Sequence, residues 1–253
     1  MPKKHASKLT QIFRSSRMVL HTLYGLFVAG LILPRLSPLH RDVVISRWSK
    51  ALLDLLNIRV IVLGDIPPRN LTNTMFVANH ISWVDIHALN SVHTTRFVAK
   101  AEIRKWPVFG FFATKVNTLF VEREKRHEAG KLVSSAKQAL QAGDCICFFP
   151  EGTTTDGTEI KPFKGSLLQA AIDTKSNVWP FAIHYPDADN KPNTEMAYWG
   201  EMSLIESMQL IIKQRSALVV LNFASPMNAG DYDRRKLSMA AREAIVSRLD
   251  LPR

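Results

Sequence analysis

The stretch "MFVANHISWVDIHAL", residues 75–89, puts a histidine and an aspartate where neither helps a core. Met75 to Ala78 reads as a buried strand that stops at Asn79-His80, and Asp85 follows five residues after the histidine, inside a new apolar pattern. Ser82 is placed to cap a helix that begins there, which sets Asp85 about one turn in and near His80. A carboxylate that accepts from one imidazole nitrogen fixes the tautomer and leaves the other nitrogen basic and outward. Such a dyad suits general-base catalysis. No nucleophile accompanies it: the chain has no G-x-S-x-G elbow and no cysteine in a reactive context. The base then most simply activates a hydroxyl or water that belongs to the substrate. The plain alternative is a histidine at a strand end and an aspartate that favours a helix dipole.

Four further stretches carry polar chemistry at strand ends. In "FFPEGTTTDG", residues 148–157, a strand runs into a Gly/Thr-rich turn. Its backbone N–H groups and hydroxyls, from Gly152 and Thr153 onward, suit an anion or a hydroxylated ligand. Glu151 in that turn is expected to orient the loop or a substrate hydroxyl. In "NTLFVERE", Arg123 offers a guanidinium fork for phosphate or carboxylate. In "FVAKAEIRKWPVFG", Lys100 ends another strand run, and in "VWPFAI" Pro180 interrupts one, which marks an edge or a bulge. Each has a bland reading as well: a surface turn, a solvated arginine, a snorkelling lysine, an edge proline.

The elements that must position these residues alternate along the chain. Strand-like runs are expected at 58–64, 74–78, 95–100, 118–122, 144–150, 178–185 and 217–224, and helical runs at 124–143, 165–175 and 233–250. Gly143 suits the end of the first helix, and Asp233 suits the N-cap of the last. Strands interleaved with helices predict an α/β fold, a mainly parallel sheet covered by helices on both faces. Ligands of such sheets bind beyond the carboxyl ends of the strands. His80, Arg123 and Glu151 each follow a strand run closely, so they are expected to converge on one sheet edge.

Composition narrows the partner. The chain has 253 residues, with 33 Lys and Arg against 22 Asp and Glu, a net charge of +11. This points to nucleic acid, an anionic membrane surface or a phosphorylated substrate. Residues 1–41 carry Lys3, Lys4, Lys8, Arg14, Arg17, Arg35 and Arg41 and no acid before Asp42. Within them lies the apolar run "MVLHTLYGLFVAGLIL", residues 18–33, which is short for a span of about 20 residues and closes at Pro34. The following "DVVISRWSKALLDLL" is amphipathic at helical spacing. The two runs fit a membrane-associating helix pair over 1–57, ahead of a catalytic domain over 58–253, and the rival reading makes both core helices of a soluble domain. No A-x-A-like cleavage site follows, and a basic start favours the cytoplasmic face. A nucleic-acid partner is disfavoured, because no recognised motif occurs and the basic excess sits in an apolar-rich segment. Cys145 and Cys147 sit two apart in a strand run and point to one face as buried thiols, and no zinc spacing is present.

Taken in order, "NHISWVD", "K-A-E", "LFVER", "FPEGTTT" and "VWPFAI" resemble the glycerolipid acyltransferase family, in particular the 1-acyl-glycerol-3-phosphate acyltransferases. The resemblance spans roughly residues 58–225. It implies acyl transfer from an acyl-CoA or acyl carrier protein thioester to the free hydroxyl of a lysophospholipid, with no cofactor. It implies that His80 is the base, Asp85 its partner and Arg123 a phosphate ligand. Glu151 and Gly152, with Thr153 beside them, match the acceptor-binding turn, and Lys100 matches a basic residue near the acceptor phosphate. The N-terminal helices match a membrane-docking element on the cytoplasmic face of the inner membrane. Another lysolipid acceptor, including a lyso-ornithine lipid, fits the same motifs. Asn117 departs from the family, which commonly has glycine there.

Overall fold

The structure, a computed structural model, describes residues 5–122 and 126–249. Seven strands form the body of the sheet: β1 (Ile58–Gly64), β2 (Thr74–Ala78), β3 (Arg96–Lys100), β4 (Leu119–Val121), β5 (Cys145–Phe148), β6 (Asn177–His184) and β7 (Ala217–Phe223). Their order is β1-β7-β6-β2-β5-β3-β4, with β8 (Met227–Asn228) beside β6. All pairings are parallel except those of β6 with β7 and β8. The carboxyl ends of β6, β2, β5, β3 and β4 therefore share one edge. The helices are α1 (Lys8–Phe27), α2 (Pro38–Leu56), α3 (Val84–Val92), α4 (Phe109–Lys115), α5 (Arg126–Gln141), α6 (Leu168–Thr174), α7 (Leu204–Lys213) and α8 (Arg234–Val246).

The central strands are apolar on both faces, as a covered sheet requires. Phe76, Ala78, Cys145, Cys147, Trp179 and Phe181 face one core, which receives Leu52, Leu53 and Leu56 of α2 and Ala88 and Leu89 of α3. Met75, Val77, Ile146, Phe148, Val178 and Ala182 face the other, which receives Leu140 of α5, Leu168 of α6 and Leu237, Ala241 and Ile245 of α8. Fully burying one such side chain contributes about 1.5–3 kcal/mol. Both cysteines are free and buried.

Expectation and structure differ in four places. The expected elements omit α4, α7 and β8. Pro180 lies in β6, an interior strand, not at a sheet edge. It is tolerated because β8 pairs with Asn177 and Val178 while β7 begins pairing at Phe181, and in the gap the Pro180 carbonyl accepts from the Ala224 N–H. Arg14 is not part of a basic surface. It is buried, and its guanidinium donates to the carbonyls of Ile212, Gln214 and Arg215 at the C-terminal end of α7, where a cation satisfies free carbonyls. The helix that follows His80 begins at Val84 with Trp83 in the capping position, the Ser82 hydroxyl accepts only a long bond from the Val84 N–H at 3.4 Å, and the carboxylate of Asp85 accepts from the Ile81 and Ser82 N–H groups ahead of the helix.

The N-terminal helices grip the domain along one side. The His21 and Trp48 rings stack at 4.5 Å, and Gly25 lets Trp48 approach so closely that a Cβ there would stand 2.6 Å from its indole nitrogen. Val28, Ala29 and Leu33 pack against Phe111, Phe112 and Val116. The opposite side of α1 leaves Leu9, Ile12, Phe13, Leu20, Leu23 and Phe27 exposed. The continuous helix Lys8–Arg35 is long and apolar enough to cross a membrane, and only 22% of its apolar window is buried. A contiguous uncovered apolar face of this kind is large enough to meet another apolar surface, a membrane among them.

Candidate active site

Three adjacent strands supply the site. His80 follows β2, Phe149 and Glu151 follow β5, and Tyr185 follows β6. Asp85 reaches them from the first turn of α3. The His80 Nδ1 lies 2.7 Å from Asp85 Oδ2. That oxygen also accepts the N–H groups of Ile81 at 2.8 Å and Ser82 at 3.0 Å, while Oδ1 accepts the Tyr185 hydroxyl at 2.6 Å. With the Ile81 and Ser82 N–H groups and the Tyr185 hydroxyl all donating to it, this carboxyl faces the imidazole as an acceptor, so Nδ1 carries the proton and Nε2 has the free lone pair. The Asp85 side chain is 0% exposed and that of His80 is 20% exposed. The dyad is therefore fixed at its inner end and open at its outer end.

The histidine backbone is held as firmly as its ring. The carboxyl of Glu151 accepts from the His80 N–H at 2.8 Å and from the Lys161 N–H at 2.8 Å. The His80 carbonyl accepts from the Thr155 N–H at 2.9 Å. The imidazole stacks on Phe149, with ring centroids 3.9 Å apart and planes 5° apart. Burial raises the Glu151 carboxyl above the ordinary value, against the two N–H bonds and the nearby His80, which lower it. Gly152 turns the chain at φ +77°, a left-handed conformation that glycine adopts without penalty. Asn79 ties the end of β2 to β6, since its side chain both accepts from the Ile183 N–H and donates to the Ile183 carbonyl.

The arrangement suits a general base at the carboxyl edge of an α/β sheet, and among the described residues no thiol offers a nucleophile beside it. The two thiols do not supply one: burial pushes Cys145 up to about 12, and burial with the Asp85 charge pushes Cys147 well above its usual range. The family model described as Acyltransferase matches residues 59–184, which contain His80, Asp85 and Glu151. The lyso-ornithine lipid O-acyltransferase of Rhizobium meliloti is 33% identical over 214 residues, 80% of this chain and 70% of that protein. The chain belongs to the Acyltransferase family. A 1-acyl-sn-glycerol-3-phosphate acyltransferase of Neisseria gonorrhoeae is 28% identical over 99% of both chains. The crystal structure of the 1-acyl-sn-glycerophosphate (LPA) acyltransferase from Thermotoga maritima shares the fold, with a TM-score of 0.64 at 24% identity over 94% of this chain and 96% of that one.

Within this acyltransferase, the structure brings His80, Asp85 and Glu151 into direct contact. Both Glu151 oxygens are engaged by backbone, which is the loop-orienting role. Gly152 and the exposed Thr153 continue the same turn. Lys100 is exposed at the end of β3, on the same edge. Arg123 lies outside the described residues. Asn117 adopts φ +58°, so it holds the left-handed turn that a glycine would hold. Sequence reasoning missed Tyr185, Phe149 and Asn79. The strand-end rule that found His80 also points to Tyr185 when applied to β6. Nothing in the sequence signals the Phe149 stack, which depends on the path of the turn.

Proposed function

We propose that the protein transfers a fatty acyl group from an acyl-CoA or acyl carrier protein thioester to the free hydroxyl of 1-acyl-glycerol-3-phosphate, giving phosphatidic acid for phospholipid synthesis. The observation that carries this reading is the open Nε2 of a tautomer-locked His80, with no reactive thiol beside it among the described residues. The acceptor hydroxyl gives its proton to Nε2 as its oxygen attacks the thioester carbonyl. The tetrahedral intermediate collapses, the C–S bond breaks, and the departing thiolate takes the proton back from the imidazolium. Neither metal nor cofactor enters the step as drawn. General-base assistance supplies about 10²–10⁴-fold, and the remainder comes from holding hydroxyl and thioester together and from stabilising the oxyanion.

Lys100, Arg123 and the Gly152-Thr153 turn are the proposed acceptor ligands, because a phosphate calls for a guanidinium fork and backbone N–H groups. The exposed apolar face of α1 lies in the bilayer that holds the lysolipid, with Lys8, Arg17 and Arg35 near anionic headgroups on the cytoplasmic face of the inner membrane. A second acceptor is favoured by one observation, the 33% identity to a lyso-ornithine lipid acyltransferase. The two are separated by purified protein, labelled acyl-CoA or acyl carrier protein, and vesicles holding lysophosphatidic acid or lyso-ornithine lipid. The proposal expects the higher specificity constant with lysophosphatidic acid, and about ten- to a hundred-fold less in Arg123→Lys with that acceptor. A preference for the lyso-ornithine lipid, unaltered in Arg123→Lys, would replace the first acceptor with the second.

A further inference from the structure

We propose that Tyr185 is a positioning residue of the base: its phenol holds the second oxygen of Asp85 so that the first stays aligned on the His80 imidazole. The proposal rests on the reading of His80 as the general base of acyl transfer. Tyr185 stands one residue past β6, is 2% exposed, and donates to Asp85 Oδ1 at 2.6 Å across 100 residues of sequence. Its carbonyl accepts from the Asn193 N–H at 2.7 Å, so the residue is held at both ends.

A carboxylate turns freely about its terminal torsion, whose energy wells are broad. The three donors on Oδ2 hold one oxygen, and the phenol on Oδ1 holds the other. Together they fix the carboxylate plane, and with it the direction in which Nδ1 points. The phenol also remains a donor throughout the working range. Burial, then the charge of Asp85 and the hydrogen bond to it, hold the phenol well above its ordinary value, and only the Ser82 hydroxyl opposes them. A neutral donor on Oδ1 draws negative charge away from Oδ2 and so moderates the pull of Asp85 on a protonated imidazole. Removing that donor strengthens the pull and raises the pH at which His80 loses its proton. Among the described residues, Glu151, from the turn after β5, and Cys147, within β5, also interact with His80 or Asp85. Neither touches Oδ1, so neither replaces the phenol.

A merely structural tyrosine, buried with its hydroxyl satisfied by the nearest acceptor, makes a different prediction. Its loss lowers stability and leaves the His80 titration where it was.

The test is Tyr185→Phe in the full-length protein, with the His80 imidazole titrated by NMR and its resonance identified by its loss in His80→Gln. The titration needs no substrate. We expect its midpoint to rise by about half a unit to one unit, the acid limb of kcat/KM to rise with it, and kcat to fall about tenfold with KM for donor and acceptor nearly unchanged. A fluorotyrosine at position 185, similar in size and a stronger donor, is expected to move the midpoint down. It decides alone if Tyr185→Phe does not fold. Unmoved midpoints overturn the proposal whatever happens to the rate. Shifted midpoints in a protein whose wild type transfers no acyl group uphold the network and overturn the acyl-transfer reading instead.

Discussion

His80 is fixed at four points: Nδ1 by Asp85, its N–H by Glu151, its carbonyl by Thr155 and its ring face by Phe149. Only Nε2 is left to act. Glu151 therefore belongs to the base as much as to any ligand, and a single change separates its two roles. Glu151→Gln keeps the volume but offers one acceptor to two backbone N–H groups. An unmet buried donor costs about 1–3 kcal/mol, so denaturant unfolding should show a loss of that size and kcat should fall. A variant with wild-type stability and kcat, impaired only in KM for the acceptor, would make Glu151 an acceptor ligand instead. The His80–Asp85 pair was legible because both residues interrupt patterns that a core would continue. Phe149 was not legible, because its contact with His80 is made by the fold of two separate turns. Asp85 was expected about one turn into a helix capped by Ser82; it lies in the first turn, and its carboxylate also gathers the Ile81 and Ser82 N–H groups ahead of α3, which the sequence did not signal.

The element that carries Asp85 is also the one against which α2 packs, and α1 packs on α2 in turn. His87 of α3 meets Trp48 of α2 edge-on at 5.4 Å, and Trp48 stacks on His21 of α1. Burial, with the nearby His21 in second place, lowers His87 to about 4 from an ordinary 6.5. Burial lowers His21 as well, opposed by the Trp48 carbonyl and aided by Arg17. The sign follows from linkage. Between about 6.5 and about 4 the unfolded chain binds a proton that the folded chain refuses, so stability is fully present above 6.5 and is lost as pH falls through that window. We expect wild-type protein to lose about 1–2 kcal/mol more than His87→Phe between about pH 7 and about pH 5, read by denaturant unfolding. Equal losses in both proteins would mean that His87 takes up a proton as readily in the fold as in the unfolded chain. Seven of the eight described strands and the parallel majority were readable from hydrophobic runs. The helix α7 was missed although its signal is in the sequence, since Ser203 and Glu206 form a capping box three residues apart, ahead of an apolar run. The interior place of Pro180 was not readable, since it depends on where β7 stops and β8 begins. Nor was the burial of Arg14, whose carbonyl partners lie about 200 residues away.

As a whole, the molecule sets an apolar helix face and a catalytic edge on one rigid frame. α1 is bolted to the end of α7 by Arg14 and to α2 by the His21–Trp48 stack, and its helical continuation packs Val28, Ala29 and Leu33 on Phe111 and Phe112 of α4. A helix held along its length by the domain moves with the domain. On our reading it rests the enzyme on the surface from which the lysolipid is drawn, while the donor thioester enters from water. The chemistry then reduces to one proton taken by one nitrogen. The measurement that tests this most directly is the initial rate of acyl transfer by His80→Ala, purified and shown by circular dichroism to be folded, on lysolipid vesicles with saturating acyl donor. The account predicts a fall of about 10²–10⁴-fold with donor and acceptor still bound. A folded His80→Ala protein turning over near the wild-type rate would contradict it.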